Sequence, residues 1–374
     1  MRKKVALIFG GRSLESDISV ITAMQAFSAL EGTSYIVEPI FMYGGDFYLN
    51  GVDDVGAFVS FNPSKHTKAF LQGGAFFKKT RFGIKCIFKP DVALVCCHGG
   101  EGENGTLQAL LDYNGIAYTS CNMLESAICM DKVISKLLYE SYDLNVMPYK
   151  CVYSCDFDEK SNTCFENIET LEYPLIIKPA RQGSSIGVSV AKNRVELCEA
   201  LRLSFEFDDK VLVEKLLEDA CEVNCAAVRL NGKIVLSQTE NPYSNGEFLS
   251  FDDKYVGGKM SAGEHKIPAD IGDLNDVVKE CTKRIYSALS LDGIVRVDYL
   301  CDLKNNVVYI NEINSVPGSL AFYLFSKEGI AFSELLIGVI ENALKKPKAH
   351  FKGQSFKSDV LKNYSRGECR GVKK

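Results

Sequence analysis

Long apolar runs are missing from this chain of 374 residues. No stretch approaches the roughly 18 consecutive apolar residues that a membrane-crossing helix needs. Positive charge is not in excess either: 43 Lys and Arg stand against 48 Asp and Glu, for a net charge of -5. That argues against a nucleic-acid partner, which calls for a basic stripe to displace counterions. There is no internal repeat and no low-complexity tract. Histidine is scarce, with four in all. Cysteine is abundant at fourteen, yet the pairs Cys151/Cys155 and Cys221/Cys225 have no histidine beside them to complete a zinc site. A disulfide framework belongs to small secreted domains. The cysteines therefore read as free thiols, mostly buried as small hydrophobes, and the expected compartment is a reducing cytoplasm.

What is present suits a globular enzyme of more than one domain, since domains run roughly 100–200 residues. Val5–Phe9 is a short apolar run ended by Gly10-Gly11 and reads as a first core strand. Ser16–Leu30 reads as a helix, Ile36–Tyr43 as a strand, Asp91–Cys97 as an apolar strand before glycines, and Leu107–Tyr113 as a helix. This alternation predicts a parallel sheet with ligands at the carboxyl ends of its strands. Further on, the pattern predicts a helix over Met130–Tyr142 and strands over Leu175–Lys178 and Val211–Leu216. Glu222–Leu230 and Ile234–Thr239 form a hairpin about Asn231-Gly232. Asn275–Leu289 reads as a helix, and Ile294–Asn314 as two strands turning at Lys304-Asn305-Asn306. Asn241–Ala269 is a long polar, glycine-bearing stretch that reads as a lid. Lys345–Lys374, with ten Lys and Arg against two Asp and Glu, reads as a flexible tail.

Four stretches carry chemistry. Alternate residues of a strand share a face, so Arg296 pairs with Asp298 on one strand and Glu312 with Asn314 on the next. A turn centred on Asn305 puts Asp298 opposite Glu312 and Arg296 opposite Asn314. Two carboxylates and an amide oxygen suit Mg²⁺ shared with substrate phosphates; the same pattern also suits the polar face of a solvated hairpin. Lys178-Pro179 with the loop Arg181–Gly187 offers a lysine and closely approachable backbone N–H groups to a polyanion, or it is an ordinary turn. Gly100, Gly102 and Gly105 match a dinucleotide-binding spacing, but no acidic residue is evident at a strand end about twenty positions on. His98 precedes these glycines. Glu15 follows Gly10-Gly11, where it would hold an ammonium group or cap the next helix.

Taken in order, these stretches resemble the D-alanine–D-alanine ligases of the ATP-grasp superfamily. The matching pieces are Gly10–Glu15 with Ile18-Ser19, His98–Gln108, Met130-Asp131-Lys132, Lys178–Gly187, Val213-Glu214-Lys215, Lys254-Tyr255, Arg296-Val297-Asp298, and Asn311–Asn314 with Pro317-Gly318. They span residues 4 to 345. The resemblance implies an ATP-grasp fold, α/β and α+β, behind an N-terminal parallel-sheet domain. The expected boundaries are 1–122, 123–212 and 213–346, with the lid at 241–269 and the tail at 347–374. It implies ATP and two Mg²⁺ ions, with Mn²⁺ as a substitute, small amino-acid substrates, and the homodimer common in the family.

By the same resemblance, Lys132 and Lys178 hold ATP phosphates. Ser185, Lys215, Lys254 and Asn311 join the nucleotide site, and Glu214 and Glu222 lie by adenine and ribose. Asp298, Glu312 and Asn314 hold the metals. Glu15 binds the first ammonium and joins Ser184 and Tyr255 in closing the lid, while His98 positions the first substrate. Arg296 and the Gly318 N–H face the tetrahedral intermediate. Ser319, Tyr323 and Leu324 line the second-substrate site. One departure stands out: Tyr323 occupies the position where the family pattern has a serine for the second substrate's carboxylate. The implied reaction is ATP-dependent ligation of two D-alanines for a cell-wall precursor, with D-serine, D-lactate or another amino acid as alternative acceptors. A binding protein without turnover, or a nicotinamide enzyme resting on the glycine spacing, are the remaining readings.

Overall fold

The computed structural model describes residues 2–51, 54–157, 162–242 and 265–346. The first unit begins with β1 (Lys4–Gly10), α1 (Ser16–Leu30) and β2 (Ile36–Tyr43). A meander of β3 (Asp46–Leu49), β4 (Thr67–Gln72), β5 (Ala75–Thr80) and β6 (Gly83–Phe88) follows. β7 (Val92–Val95), α2 (Gly100–Glu103), α3 (Thr106–Tyr113) and β8 (Ala117–Tyr118) complete it. The sheet runs β6-β5-β4-β3-β2-β1-β7-β8. β1 pairs in parallel with β2 and β7, and β7 with β8. All but the first residue of β1 are buried, which explains its unbroken apolar run, since a central parallel strand is covered on both faces. The reading of the first third thus holds for the parallel half. The antiparallel half, β3 to β6, went unread: its connections across Gly44-Gly45 and Gly73-Gly74 are too short for the helical crossover that parallel pairing requires.

The second unit contains α4 (Met123–Met130), α5 (Lys132–Ser141), β9 (Tyr149–Tyr153), α6 (Asn162–Glu169), β10 (Leu175–Pro179), β11 (Ser189–Ala191), α7 (Arg194–Phe205) and β12 (Lys210–Lys215). Its antiparallel sheet runs β11-β10-β12-β9. The helix expected over Met130–Tyr142 is α5, and Met130 closes the helix before it. Asp131 breaks the chain at φ -91°, ψ 101° and caps α5, accepting hydrogen bonds from the N–H groups of Val133 and Ile134. This places Lys132 at the first turn of α5.

The third unit contains β13 (Cys221–Leu230), β14 (Lys233–Glu240), α8 (Leu274–Ala288), β15 (Ile294–Asp302), β16 (Val307–Asn314), α9 (Phe322–Ser326) and α10 (Phe332–Lys345). Its sheet runs β14-β13-β15-β16, all antiparallel. Both hairpins turn where the sequence placed them. Most of the reading of 241–269 as a lid falls on 243–264, outside the described residues, as does the tail 347–374. The two ends of the former segment are tied together, Asn241 and Lys266 exchanging backbone hydrogen bonds of 3.0 and 3.3 Å.

The third sheet docks on the first at Gly293, just before β15. Its φ is +72°, and a Cβ there would lie 2.3 Å from the Thr119 carbonyl oxygen and 2.9 Å from Ser120 Cα. Close backbone approach of this kind admits only glycine. Gly293→Ala is expected to lower stability by about 1–3 kcal/mol, seen as a lower urea midpoint at unchanged slope. A variant as stable as the parent would show that this contact does not set the docking.

Candidate active site

The strand pair β15–β16 has the register that its sequence predicted. Asp298 pairs with Glu312 and Arg296 with Asn314. Arg296 Nε and Nη2 donate to the two Asp298 oxygens at 2.7 and 2.8 Å, and Asn314 Nδ2 donates to Asp298 Oδ2 at 3.0 Å. Arg296 is held fully charged: burial opposes its charge, and the Asp298 carboxylate outweighs that. Facing them across a cleft stand Lys132 and Lys178. Lys132 Nζ donates to the Gln182 carbonyl at 2.5 Å and lies 3.3 Å from Glu312 Oε2. Lys178 Nζ donates to Asn311 Oδ1 at 3.0 Å. The cleft holds about 80 Å³ and is lined by Lys132, Lys178, Ser185, Glu222, Asp298, Asn311 and Glu312, among others. Lysine ammonium groups and hard oxygen ligands therefore share one cavity, the combination a metal-bearing polyphosphate requires.

Beneath the cleft lies a group that sequence reasoning missed. Lys136 is fully buried, with its Nζ 2.5 Å from Glu214 Oε1. Lys178 Nζ lies 2.6 Å from Glu214 Oε2. Glu214, 2 % exposed, is thus engaged on both oxygens and does not line the cleft. Burial alone would raise its pKa; the ammonium groups of Lys136 and Lys178 overcome that and hold it at about 2. The available signal was spacing, since Lys136 follows Lys132 by one helical turn on α5. Lys215 points away, donating to the carbonyls of Glu172 and Tyr173 at 3.1 and 2.9 Å.

A second cavity of about 230 Å³ adjoins the first and is lined by Ser13, Glu15, Gly99, Gly100, Met130, Gln182, Gly183 and Ile186, among others. Ser184 donates its hydroxyl hydrogen to Glu15 Oε1. Ser184 and Ser185 hold left-handed backbone, φ 51° and 61°, strain of a kind that collects at ligand clamps. A Cβ on Gly99 would lie 2.4 Å from Glu15 Oε2, so the glycine makes room for the carboxylate. A Cβ on Gly102 would meet Cys97 Cβ at 2.4 Å, and one on Gly105 the Met123 carbonyl at 2.5 Å. These glycines serve packing between neighbouring elements, which accounts for their spacing without a dinucleotide.

His98 is buried, and its partners fix its tautomer. The Val316 carbonyl, 2.6 Å from Nδ1, only accepts, so Nδ1 carries the hydrogen. Thr22 then donates to Nε2 at 2.8 Å and accepts from the Ser319 N–H at 3.0 Å. Burial lowers the His98 pKa to about 4, so the ring is neutral at ordinary pH. Glu103 accepts from the Val316 and Gly99 N–H groups at 2.8 and 3.0 Å; burial, then the Glu15 charge, raise its pKa to about 8. These bonds anchor the turn that carries Gly318 and Ser319. Beyond it Ser319, Leu320 and Ala321 are all left-handed, φ 50°, 49° and 48°. Tyr323 reaches Glu240, whereas the Leu324 side chain is fully buried in the core. Lys254 and Tyr255 lie outside the described residues. Among the described residues no three or more His, Cys, Asp or Glu gather as a metal cluster.

Glu214→Gln would leave a buried ammonium unpaired, at an expected cost of about 3–5 kcal/mol near neutral pH. The folded pKa is depressed below the ordinary 4.5, so the carboxylate's contribution is full above that value and is lost as pH falls towards about 2. The stability gap between parent and variant, followed by denaturant unfolding, should therefore narrow across that window; a gap independent of pH would refute the triad.

Comparison with known proteins accords with this arrangement. Residues 4–121 match a family model described as D-ala D-ala ligase N-terminus, and residues 138–341 one described as D-ala D-ala ligase C-terminus. The chain is 36% identical over 380 residues to the D-alanine–D-alanine ligase of Thermosipho africanus, covering 96% of each. It is 36% identical over 363 residues to that of Chloroherpeton thalassium, covering 92% of this chain and 97% of the other. Among solved structures it resembles the D-alanine–D-alanine ligase of Helicobacter pylori at TM-score 0.73 and 27% identity, covering 93% of this chain and all of that one. It also resembles the VanG D-Ala:D-Ser ligase of Enterococcus faecalis at TM-score 0.76 and 27% identity, covering 92% of this chain and all of that one. The chain belongs to the D-alanine–D-alanine ligase family, with its ATP-grasp fold.

Proposed function

We propose that the protein joins two D-alanines into D-alanyl-D-alanine with ATP and a divalent metal, giving ADP and phosphate for a peptidoglycan precursor. The observation that carries this reading is the single cleft in which Lys132 and Lys178 face Asp298 and Glu312. The donor set fits the group: two carboxylates and the Asn314 amide are hard oxygen ligands, short of a closed cage, as suits an ion shared with phosphates. Two Mg²⁺ ions are the number we infer, and Mn²⁺ suits the same oxygens. When bound, metal–ATP supplies the phosphoryl group that turns a carboxylate into a good electrophile.

The chain's own residues do the rest. Lys132 and Lys178 orient the phosphates by charge. Glu15, steadied by Ser184 and set against Gly99, holds the ammonium of the first amino acid. The neutral His98 keeps the turn of Val316 to Ser319 against α1, beside that first substrate. Arg296 and the Gly318 N–H face the negative charge that develops as the second amine attacks. No helix among the described residues is long and apolar enough to cross a membrane; a cytoplasmic homodimer is the setting we infer.

Tyr323 favours a second reading at one point only. A phenol where the family pattern has a serine leaves room for an acceptor other than D-alanine, D-serine among them. Phosphate release from ATP with Mg²⁺ and an amino-acid panel, with mass spectrometry of the products, tests both. D-alanyl-D-alanine is the expected product; turnover only with another pair moves the protein to a paralogous ligase, and no amino-acid-dependent turnover overturns the proposal. Glu312→Gln is expected to lower kcat by about a hundredfold or more and to raise the Mg²⁺ concentration needed for half-maximal rate. An unchanged rate and metal dependence would remove Glu312 from the metal site.

A further inference from the structure

One edge of the first sheet collects positive charge. Residues 75–90, which form the β5–β6 hairpin, carry Lys78, Lys79, Arg81, Lys85 and Lys89, and residues 55–90 contain no Asp or Glu. The chain as a whole has a net charge of -5, so this charge is segregated. Lys79, Arg81, Lys85 and Lys89 are exposed and Lys78 is half-buried. Lys68 on the neighbouring β4 meets Asp46 at 2.6 Å, whereas none of the five hairpin cations pairs with a carboxylate among the described residues. Lys78 and Lys85 stand directly opposite one another in the ladder. Like charges at opposed positions destabilise a strand pair.

The tip of the hairpin is apolar as well as cationic. Phe82 is 93 % exposed and Ile84 61 %. The Arg81 guanidinium lies over the Phe82 ring, 5.7 Å from its centre. β6 is the last strand of the sheet, and lysines on an edge strand ordinarily keep other strands away. A bare phenyl ring at the tip, with an isoleucine beside it, works against that purpose. A second copy meeting this edge about a twofold axis would set the same cations against themselves. A single-stranded nucleic acid would stack on Phe82 and leave Ile84 in water. An anionic bilayer answers each feature: phosphates for the cations, the headgroup boundary for the ring, and acyl chains for Ile84.

We propose that the β5–β6 hairpin docks the protein on an anionic lipid surface, with Phe82 and Ile84 entering the headgroup boundary. Lys78 and Lys85 project to one face of the hairpin, and the paired Lys79 and Ile84 to the other. A hairpin entering tip first therefore brings cations to lipid phosphates on both sides. Attraction of this kind acts over roughly 10 Å at moderate salt, so the local charge decides the contact and not the net charge of the chain. β6 lies five strand spacings from β1 in the sheet, roughly 24 Å. Docking therefore leaves the cleft and Glu15, which follows β1, open to substrates. The inference does not depend on the ligase reading.

The test uses the full chain with vesicles of phosphatidylglycerol mixed with phosphatidylcholine, against vesicles of phosphatidylcholine alone. The chain contains no tryptophan, so Phe82→Trp installs a single reporter at the tip. Its emission is expected to shift to the blue with the anionic vesicles, to stay unchanged with the neutral ones, and to return when salt is raised. In co-sedimentation, Lys78→Glu combined with Lys85→Glu should weaken binding to the anionic vesicles about tenfold or more, and Phe82→Ser should weaken it severalfold. Phosphate release from ATP and D-alanine in solution should be the same in these variants as in the parent. The vesicle measurements need no substrate, so a protein without ligase turnover would leave the inference standing. No binding of the parent to anionic vesicles overturns it, as does an emission in Phe82→Trp that does not move. Binding that survives both sets of substitutions also overturns it, and places the attraction elsewhere, on the basic tail first. Oligonucleotide binding that depends on Phe82, with vesicles ignored, would assign the surface to nucleic acid instead. A changed oligomeric state in Lys78→Glu with Lys85→Glu, with vesicle binding intact, would give the face to a second copy.

Discussion

The Lys136–Glu214–Lys178 triad is the constraint on which the cleft depends. A carboxylate sunk between β12 and α5 is costly unless paired, and here two ammonium groups answer one carboxylate. The set keeps a net positive charge, and only Lys178 can present it outward, because Lys136 is sealed in the core. Lys178 is further held by Asn311 of β16. The second sheet thus reaches the third through a lysine whose direction is fixed from behind. A flexible lysine on a surface strand would lose rotamer freedom on meeting a phosphate; this one has lost much of it beforehand, in keeping with preorganised charge.

The first unit is coupled to the third by a different device. Ser319 N–H, Thr22, His98 and the Val316 carbonyl form one continuous hydrogen-bond chain from the turn to α1 and back. Each donor and acceptor in it has a single assignment, because a carbonyl cannot donate. Glu103 ties down the Val316 N–H from the other side. The left-handed run from Ser319 to Ala321 costs of order 1–3 kcal/mol per residue. Burial of Leu320, Ala321 and Leu324 offsets it. The same turn carries Gly318 and leads to Tyr323, so the strain is spent where the chain must swing a backbone N–H and a phenol towards Arg296.

What the sequence made legible were local periodicities with a turn to anchor them. The register of Asp298 with Glu312 follows from alternation and a turn at Asn305, and needs nothing further. Glu240 was illegible for a specific reason. From Asn231-Gly232 the hairpin pairs Leu230 with Lys233 and Ala227 with Leu236, and strict continuation would set Asn224 against Thr239. A bulge between Cys225 and Ala227 shifts the partner to Glu240, and a one-residue slip exchanges the faces of a strand. Glu214 shows a second limit. The family resemblance set it beside the nucleotide, but its carboxylate is held by Lys178 and by Lys136, which lies on a helix far back in the chain. The antiparallel strands β3 to β6 were passed over because β6 is exposed along most of its length and gives no alternation to read.

Seen from the third sheet, the chemistry is divided by row. The row of Glu240, Asn224, Asp298 and Glu312 carries negative charge at both ends and a neutral amide between. The next row carries Ala226, Arg296 and Asn314. Arg296 is therefore flanked by carboxylates with different partners: Asp298 answers it directly through two hydrogen bonds, and Glu240 is turned to Tyr323 and His265. An arginine already neutralised by Asp298 is a modest attractor for a ground-state carboxylate. In the reading we propose, it would become a stronger partner if a bound metal drew on the Asp298 oxygens while negative charge developed on the substrate. On that reading the ordering would couple the positive charge of Arg296 to the filling of the end of the row that Asp298 and Glu312 form. It gives β15 a reason to place the arginine and the aspartate two residues apart on one face.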